Sequence, residues 1–427
     1  MNLITELTWR GMIQDIMSGT EQQLEKEMTT GYIGFDPTAD SLHVGSLVPI
    51  LLLVHLQKAG HKPIALVGGA TGMVGDPSGK SAERNLLDDA TLNHNLQGIK
   101  TQLSRYLDFT SASPNAAEMV NNYDWFKGLT FLQFIRDVGK HITVNYMSAK
   151  DSVKKRLEGE NGMSFTEFTY QLVQGYDFYW LYVNKNSKLQ MGGSDQWGNI
   201  TTGTELIRRK AGGEAFAFTC PLITKADGTK FGKSEKGNIW LDPAKTSYFD
   251  FYQFWLNAAD ADAEKWIKIF TFLGRQEIET LIDRHRQHPE QRLLQKALAR
   301  EITVFVHGAE PYDQIISTSK GFYSGDPIEF INSSSDSALL NSGVSSAISG
   351  SNLPVDAVTF LAESGSTFFS SKGEARKMIQ QGGVSINEIK ITDPKTIIDN
   401  SYLLKDKYIL IRKGKNFHIV ISKDKVE

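Results

Sequence analysis

The chain has 427 residues, 40% of them hydrophobic, which is enough to bury more than one core and predicts two or three domains. Its formal net charge of -3 excludes a protein that binds polyanions over its whole surface. Residues 366–427 nevertheless contain 12 Lys and Arg against 7 Asp and Glu, which indicates either a local nucleic-acid contact or a solvated lysine-rich surface. The single cysteine, Cys220, excludes an intrachain disulfide and is typical of a reducing compartment.

The N-terminal half of the chain predicts a helix followed by a βαβ unit. Residues 1–28 are typical of a helix, GYIGFD (31–36) of a buried strand, 47–60 of a helix and 62–69 of a second buried strand. Strands joined through a helix form a parallel sheet. Neither a targeting segment nor an apolar run of membrane-spanning length is recognisable, so we expect a cytoplasmic protein without membrane contact.

The second half of the chain changes character twice. Helical patterns dominate from about Thr246 to Ser317. Residues 330–352 are rich in Ser and Gly, which is typical of a linker. The stretch SSKGEARKMIQQGGVSIN then predicts a helix, a turn and a strand within a compact mixed module.

Two loops that follow predicted strands contain candidate ligand-binding residues, because open α/β sheets bind ligands at the carboxyl ends of their strands. The loop GDPSGKS is not a phosphate-binding P-loop, since three residues separate Gly75 from Gly79 where four are needed. In DSLHVGSLVPI (40–50), His43 stands at a predicted helix start, where free N–H groups favour a phosphate. Gly45 would let a flat base lie against the backbone. Alone, the pattern is more typical of an ordinary histidine at a helix start.

A second motif, KFGKS (230–234), places two lysines three residues apart in a Gly-rich loop, which alone would fit an exposed basic loop. Together, His-x-Gly and K-x-x-K-S resemble the two signature sequences of class I aminoacyl-tRNA synthetases. Four longer stretches narrow the resemblance to the bacterial-type tyrosyl-tRNA synthetases: GYIGFDPTADSLHVG, ALVGGATGMVGDPSG, SFTEFTYQLVQGYDF and LQMGGSDQWGNI. This similarity runs from about residue 30 to 240 and extends more loosely to the C-terminal module.

The resemblance implies the fold and the activity. The expected fold is α/β, with a Rossmann-like parallel-sheet catalytic domain (1–225), a signature loop and helical domain (226–328), a Ser/Gly-rich linker (329–352) and a small α+β RNA-binding module (353–427). The expected activity is that of a tyrosine–tRNA ligase, whose partners are tyrosine, ATP and the tRNA for tyrosine. Mg²⁺ would accompany ATP, no structural zinc is expected, and the chain would form a homodimer.

The resemblance also implies roles for individual residues. Tyr170, Gln174 and Asp177 are spaced four and three residues apart, so a helix would place them on one face, either as a substrate site or as a satisfied polar network. Tyrosine would be bound by Tyr32, Asp76, Tyr170, Gln174, Asp177 and Gln196. ATP would be bound by Gly34, Asp36, His43, Gly45, Ser46, Lys80, Arg84, Gly193, Asp195 and Lys233. Catalysis would depend on Thr38, His43, Lys230 and Lys233.

Four positions differ from the usual family pattern. Ser46 stands where the first signature commonly has a second histidine, and KFGKS replaces KMSKS with both lysines kept. Ile33 stands where some relatives carry a small polarisable residue.

In the C-terminal module the resemblance implies that tRNA is bound by Lys372, Arg376, Lys377, Arg412, Lys413 and Lys415.

Two other functions fit parts of the pattern. A nucleotidyltransferase that makes a dinucleotide would share His-x-Gly, although it would not need the face formed by Tyr170, Gln174 and Asp177. An RNA-binding relative that has lost catalysis would explain Ser46, but not the retained His43 and the two signature lysines.

Overall fold

The computed structural model describes residues 2–78, 87–110, 112–159, 162–229, 231–234, 237–323, 325–336, 339, 345–348, 352–364, 368–414 and 416–423. The chain divides into two compact units. The first comprises Met1–Lys245 and Leu256–Ile302, and the second comprises Thr246–Trp255 and Thr303–Glu427. Within the described ranges, none of the helices combines the length and apolar character that a membrane span requires.

The first unit is built on a six-stranded sheet, which confirms the predicted Rossmann-like architecture. Its strands are β1 (Asp15–Ile16), β2 (Thr30–Phe35), β3 (Lys62–Val67), β4 (Glu118–Asn121), β5 (Ser187–Gly193) and β6 (Phe216–Cys220). The strand order is β1-β6-β5-β2-β3-β4, with β1 antiparallel to β6 and all other pairs parallel. The order therefore reverses between β2 and β5, which opens a crevice beyond the carboxyl ends of these two strands.

Helices cover this sheet and supply loops to its carboxyl edge. They are α1 (Leu3–Arg10), α2 (Thr20–Lys26), α3 (Leu47–Lys58), α4 (Thr71–Val74), α5 (Asp89–Leu103), α6 (Tyr123–Phe126), α7 (Phe131–Asp137), α8 (Val144–Ser148), α9 (Asp151–Leu157), α10 (Phe165–Lys185) and α11 (Trp197–Ala211). A capping box between Ser164 and Glu167 starts α10. The single helix predicted over residues 1–28 is wrong, because Gly11 and Gly19 have positive φ and the strand β1 lies between them.

Helices follow the sheet, as predicted for residues 246–317. A strand pair, β7 (Lys233–Ser234) and β8 (Gly237–Asn238), precedes them. They are α12 (Tyr248–Leu256), α13 (Asp260–Phe270), α14 (Arg275–Gln287), α15 (Leu293–His307), α16 (Ala309–Tyr323) and α17 (Pro327–Ser333). These helices divide between the two units, so the proposed helical domain (226–328) does not coincide with either unit.

The C-terminal part of the second unit is a small α+β module. Its elements are β9 (Ser345–Ile348), β10 (Val355–Asp356), α18 (Ala357–Glu363), α19 (Lys372–Gln380), β11 (Val384–Ile386), β12 (Ile389–Lys390), β13 (Ile397–Ile398), β14 (Tyr408–Lys413) and β15 (Asn416–Ile421). Five strands form one sheet in the order β12-β11-β14-β15-β9, in which β9 is parallel to β15. The predicted helix, turn and strand are thus present as α19 and β11.

The module is anchored to the helices that precede it in the same unit. Phe322 of α16 and Ile331 of α17 belong to one buried cluster with Tyr408, Leu410 and Phe417. The Ser/Gly-rich segment expected as a linker (329–352) contains the end of α17 and the paired strand β9. The domain boundaries from the sequence therefore stay a proposal, and a cut at residue 353 would uncover part of a core.

Candidate active site

A cavity of about 260 Å³ lies where the strand order reverses and is lined by the last residues of β2 and β5. Such a position is the usual ligand site of an open α/β sheet. Ten of the predicted site residues line it: Tyr32, Gly34, Asp36, Thr38, Asp76, Tyr170, Gln174, Asp177, Gly193 and Gln196. The sheet and α10 thus gather residues that are up to 164 positions apart in the chain.

One end of the cavity is a buried carboxyl group beside a buried phenol. Asp177 is 2% exposed and accepts hydrogen bonds from Trp125 Nε1 at 2.9 Å and Asn122 Nδ2 at 3.1 Å. Burial raises the pKa of Asp177 to about 8, although both hydrogen bonds act in the opposite direction. The hydroxyl of Tyr32 is buried without a hydrogen-bond partner among the described residues. This end can therefore recognise a hydroxyl group of a ligand.

A second group of polar side chains surrounds Asp36. The Tyr170 hydroxyl donates to Asp36 Oδ2 at 3.0 Å, and Thr71 Oγ1 donates to Asp36 Oδ1 at 2.7 Å. Asn122 Nδ2 in turn donates to Thr71 Oγ1 at 3.1 Å, which links this group to Asp177. Burial and the charge of Asp36 raise the pKa of Tyr170 far above its usual range, so its hydroxyl stays protonated.

The third group of polar side chains lies around Asp76, which is 8% exposed. Gln196 Nε2 donates to Asp76 Oδ2 at 2.8 Å and to Asp195 Oδ2 at 3.1 Å. Asn199 Nδ2 donates to Gln174 Oε1 at 3.1 Å. With Asp36 and Asp76, two carboxylates line one small cavity, which suits a ligand with a cationic group.

The side chain of His43 stabilises the backbone of the first signature, His-x-Gly. His43 precedes a short 3₁₀ helix (Val44–Ser46) that leads into α3, and its Nδ1 accepts the Gly45 N–H at 3.0 Å. This bond places the proton of the neutral ring on Nε2, which becomes a donor. A Cβ atom at Gly45 would lie 2.7 Å from His43 Cε1. Gly45 is therefore required by the histidine ring itself, a reason different from the predicted space for a base.

The backbone of the second signature lies beside the first. Val44 N donates to Ile239 O at 2.9 Å, and Ile239 N donates to Gly232 O at 3.1 Å. Gly232 has φ +79°, and a Cβ atom there would lie 3.0 Å from Val44 Cγ2. The ring of Phe231, in the second signature, packs against aromatic rings of α13. Two sequence motifs almost 190 residues apart therefore meet through main-chain contacts.

Several predicted residues lie away from the cavity or cannot be placed. His43, Gly45, Ser46 and Asp195 do not line it. Lys80, Arg84, Lys230 and Lys415 lie outside the described residues, and Lys233 is described only through its backbone. Among the residues that the structure describes, no group of three His, Cys, Asp or Glu side chains is arranged to hold a metal ion.

The structure adds site residues that the sequence interpretation missed. Gln190 of β5 is 2% exposed, lines the cavity, and its Oε1 has no partner within the described part of the chain. An amide between the apolar residues Leu189 and Met191 was the available signal, since a buried amide needs a polar partner. Asn122 and Trp125 had no such signal, because their role depends on contact with Asp177 more than 50 positions away.

The basic residues predicted to bind tRNA differ in their surroundings. Arg376 and Lys377 are exposed on α19, and within the described ranges no carboxylate lies within 4.0 Å of either. Lys413 Nζ instead bonds Glu374 Oε1 and the carbonyl of Phe368, both at 2.8 Å. Arg412 pairs with Glu388 at 2.9 Å, and Lys372 pairs with Glu363 at 3.3 Å. Arg376 and Lys377 are thus the most available cations among the described members of this set.

Comparison with known proteins places these features in context. The family described as tRNA synthetases class I (W and Y) matches residues 24–324, and a tyrosine–tRNA ligase SYY-like C-terminal domain matches residues 343–421. The chain is 58% identical to the tyrosine–tRNA ligase of Parabacteroides distasonis over 431 residues, which covers 99% of this chain and 100% of that one. It is 57% identical to that of Flavobacterium johnsoniae, over 98% and 99% of the two chains.

A solved structure gives the same picture. The C-terminally truncated mitochondrial tyrosyl-tRNA synthetase of Aspergillus nidulans is 31% identical and superposes with a TM-score of 0.66. The similarity covers 73% of this chain and 91% of that one.

Proposed function

We propose roles for the residues of this chain, which belongs to the class I tRNA synthetases for tryptophan and tyrosine and is a tyrosine–tRNA ligase. It activates L-tyrosine with ATP to form tyrosyl-adenylate and pyrophosphate, and then transfers tyrosine to the 3′ end of its tRNA. Tyrosine, ATP and tRNA are its substrates. The similarity over the full chain rejects both alternatives, the dinucleotide-forming nucleotidyltransferase and the inactive RNA-binding relative.

The substrate phenol binds between Asp177 and Tyr32. The observation that supports this most is the pairing of a buried acceptor, held by Asn122 and Trp125, with a buried hydroxyl that has no partner in the described chain. A phenol can donate to Asp177 and accept from Tyr32. Phenylalanine would leave the Tyr32 hydroxyl unpaired, at a cost of about 1–3 kcal/mol, and would give Asp177 no hydrogen bond beyond those from Asn122 and Trp125.

The ammonium group of tyrosine binds at Asp76, Tyr170 and Gln174. The Tyr170 hydroxyl donates its proton to Asp36, so its lone pairs can accept from an ammonium group. Asp76 supplies the opposite charge and is oriented by Gln196. Gln196 would then stand near the reacting carboxylate, with Gly193 and Asp195 at the ATP ribose.

Activation needs no general base, because the carboxylate of tyrosine is already ionised at neutral pH. One carboxylate oxygen forms a bond to the α-phosphorus of ATP while the bond to the bridging oxygen breaks, and pyrophosphate leaves in line. His43 Nε2, Thr38 and the two signature lysines, Lys230 and Lys233, stabilise the phosphates, with Lys80 and Arg84 alongside. Mg²⁺ accompanies ATP and neutralises phosphate charge. A terminal ribose hydroxyl of tRNA then attacks the tyrosyl carbonyl carbon, and AMP leaves.

We further propose that Arg376 and Lys377 carry most of the phosphate contacts of the C-terminal module, with Lys372 and Arg412 in support. The ion pair with Glu374 makes Lys413 mainly structural. The predicted boundaries of the three domains and of the linker, and a cytoplasmic location, also stay proposals.

The active molecule is a homodimer in this proposal. Large apolar side chains on α7 to α10 and the loops between them are exposed, among them Phe131 at 63%, Leu132 at 76%, Val144 at 65% and Phe165 at 67%. A second copy of the chain is the partner that would cover them. Sedimentation velocity should show a single species of twice the chain mass of 47.6 kDa. A species of one chain mass at micromolar concentration would reject the dimer.

Substitution of Asp177 by Asn tests the phenol site. Pyrophosphate exchange into ATP should fall about 10- to 100-fold in kcat/KM for tyrosine and change little for phenylalanine, because only tyrosine loses a hydrogen bond. Asp124→Asn, which changes an exposed carboxylate on α6, the helix that carries Trp125, is the matched control. Unchanged selectivity in Asp177→Asn would show that Asp177 is only structural.

A pH series on the same variant gives an independent readout. The folded-state pKa of Asp177 is raised from 3.8 to about 8, so the folded chain holds a proton that the unfolded chain releases, and the free energy of unfolding falls as pH rises through that window. Asp177→Asn should therefore lose part of this pH dependence between pH 3.8 and about 8.

A further inference from the structure

A second cavity, of about 350 Å³, lies in the first unit, and none of the residues proposed to bind tyrosine, ATP or tRNA lines it. Three segments line it: α1, the last turn of α3, and the turn between α13 and α14. Its volume is that of a small-molecule site, for which roughly 300–1,000 Å³ is usual. The lining residues are Leu3, Glu6, Arg10, His55, Lys58, Ala59, Phe272, Leu273, Gly274 and Arg275.

Arg10 holds the walls of this cavity together. Its guanidinium is 4% exposed, donates from Nη1 to the carbonyls of Lys268 and Thr271 at 2.7 Å, and donates from Nη2 to that of Leu273 at 2.8 Å. Its Nε bonds Glu6 Oε1 at 2.7 Å, so its charge is already balanced. These buried and partly buried hydrogen bonds of Arg10 therefore fix the shape of the cavity.

Lys58 provides the charge that is not balanced. Within the described part of the chain, no carboxylate lies within 4.0 Å of its Nζ, which instead lies 3.8 Å from the centroid of the Phe272 ring. Burial and the nearby Arg10 lower the pKa of Lys58. Arg275, the third cation of the lining, is paired with Glu279 at 2.9 Å, and Arg10 is paired with Glu6. An anion placed in the cavity would therefore pair with Lys58.

The remaining walls are apolar. Leu3, Ala59, Phe272 and Leu273 contribute carbon surface, and the ring of His55 packs against Phe272 with centroids 5.0 Å apart. His55 is 7% exposed, and its Nε2 has no partner among the described residues. A cavity of carbon surface with one unbalanced cation matches a ligand that has an apolar body and a single negative charge.

We propose that this cavity binds a small monocarboxylate with an aromatic or aliphatic body, whose carboxylate pairs with Lys58 and whose apolar part packs against Phe272, Leu273 and Leu3. The site is separate from catalysis, so it does not depend on the residue roles proposed above.

Calorimetric titration with 3-phenylpropionate tests the proposal, with L-tyrosinamide, which keeps the phenol and the amino group but has no carboxylate, saturating so that the catalytic cavity is occupied. We expect saturable binding of one molecule per chain. The neutral analogue 3-phenylpropanamide should bind about fivefold more weakly, because it cannot form the ion pair. Lys58→Gln should remove the difference in affinity between the acid and the amide. Lys127→Gln, an exposed lysine at the surface of the same unit, should keep it.

Three results would overturn the proposal: no saturable binding of the acid, equal affinity for acid and amide in the wild type, or an unchanged preference in Lys58→Gln. Pyrophosphate exchange on the same preparations shows whether each protein is folded and active. Loss of that exchange in the wild type would count against the catalytic proposal and leave the cavity proposal to be judged by the titration.

Discussion

In the catalytic cavity the proposed ligand-binding side chains form hydrogen bonds with one another. In the C-terminal module the predicted tRNA-binding side chains are instead exposed to solvent or form ion pairs with carboxylates of the same module. Asp177 is 2% exposed and has two protein donors. Arg376 and Lys377 are exposed, while Lys413 is held by Glu374. The buried set can select one small molecule by shape and hydrogen bonding, because an unmet polar group there is costly. The exposed set supplies attraction to phosphates that salt weakens.

The two regions should therefore fail in different ways when they are altered. Changes near the cavity should affect the chemistry of activation, and changes in the module should affect tRNA affinity. The substitutions below test whether the two regions can be impaired separately.

Lys233→Ala should have the largest effect. Pyrophosphate carries its full charge only as it leaves, so the loss of this cation should slow tyrosine activation about 100- to 1,000-fold with little change in tyrosine affinity. Single-turnover kinetics with and without excess tyrosine separate the rate of tyrosine activation from the affinity for tyrosine. Equal losses of affinity and turnover would mean that the lysine supports binding in general.

Charge reversal at Arg376 and Lys377 should have a smaller and salt-dependent effect. Transfer to tRNA at moderate salt should fall about tenfold, while tyrosine activation stays at the wild-type rate. Lys390→Glu with Lys395→Glu makes the same change in net charge at exposed positions elsewhere in the module and serves as the control. A double variant whose tRNA charging and salt slope match the wild type would reject the proposed contact. Point changes are preferable to truncation, because a cut at residue 353 would expose Phe322 and Ile331.

Ser46→His should have the smallest effect. The Ser46 side chain makes no hydrogen bond within the described ranges, so the commoner signature residue replaces no existing contact there. We expect kcat/KM for ATP within about threefold of the wild type. A large loss in a folded variant would show that the site has adapted to serine.

The sequence predicted the cavity well where its residues belong to long motifs. Tyr32, Asp76 and the pair Tyr170 and Asp177 come from three separate stretches, and the switch in strand order brings all of them to one cavity. Asn122 and Trp125 could not be predicted, because they act only through a contact that the fold creates. The first helix was overestimated because local polarity does not reveal that Asp15 and Ile16 pair with β6.

The C-terminal module shows a different limit. Its helix and strand were predicted from local pattern, but the Ser/Gly-rich stretch was expected as a linker because its composition is typical of one. A parallel strand pairing with β15 is a long-range choice that composition does not encode. For the same reason the sequence could not separate the exposed Arg376 from the paired Lys413.

The most direct measurement is both half-reactions, run side by side on Lys233→Ala and on the Arg376→Glu, Lys377→Glu double variant. The first variant should lose tyrosine-dependent pyrophosphate exchange and keep wild-type tRNA affinity. The second should keep the exchange and lose tRNA affinity in a salt-dependent way. If either variant lost both properties in a folded protein, the division between a selective cavity and a separate phosphate-binding module would be contradicted.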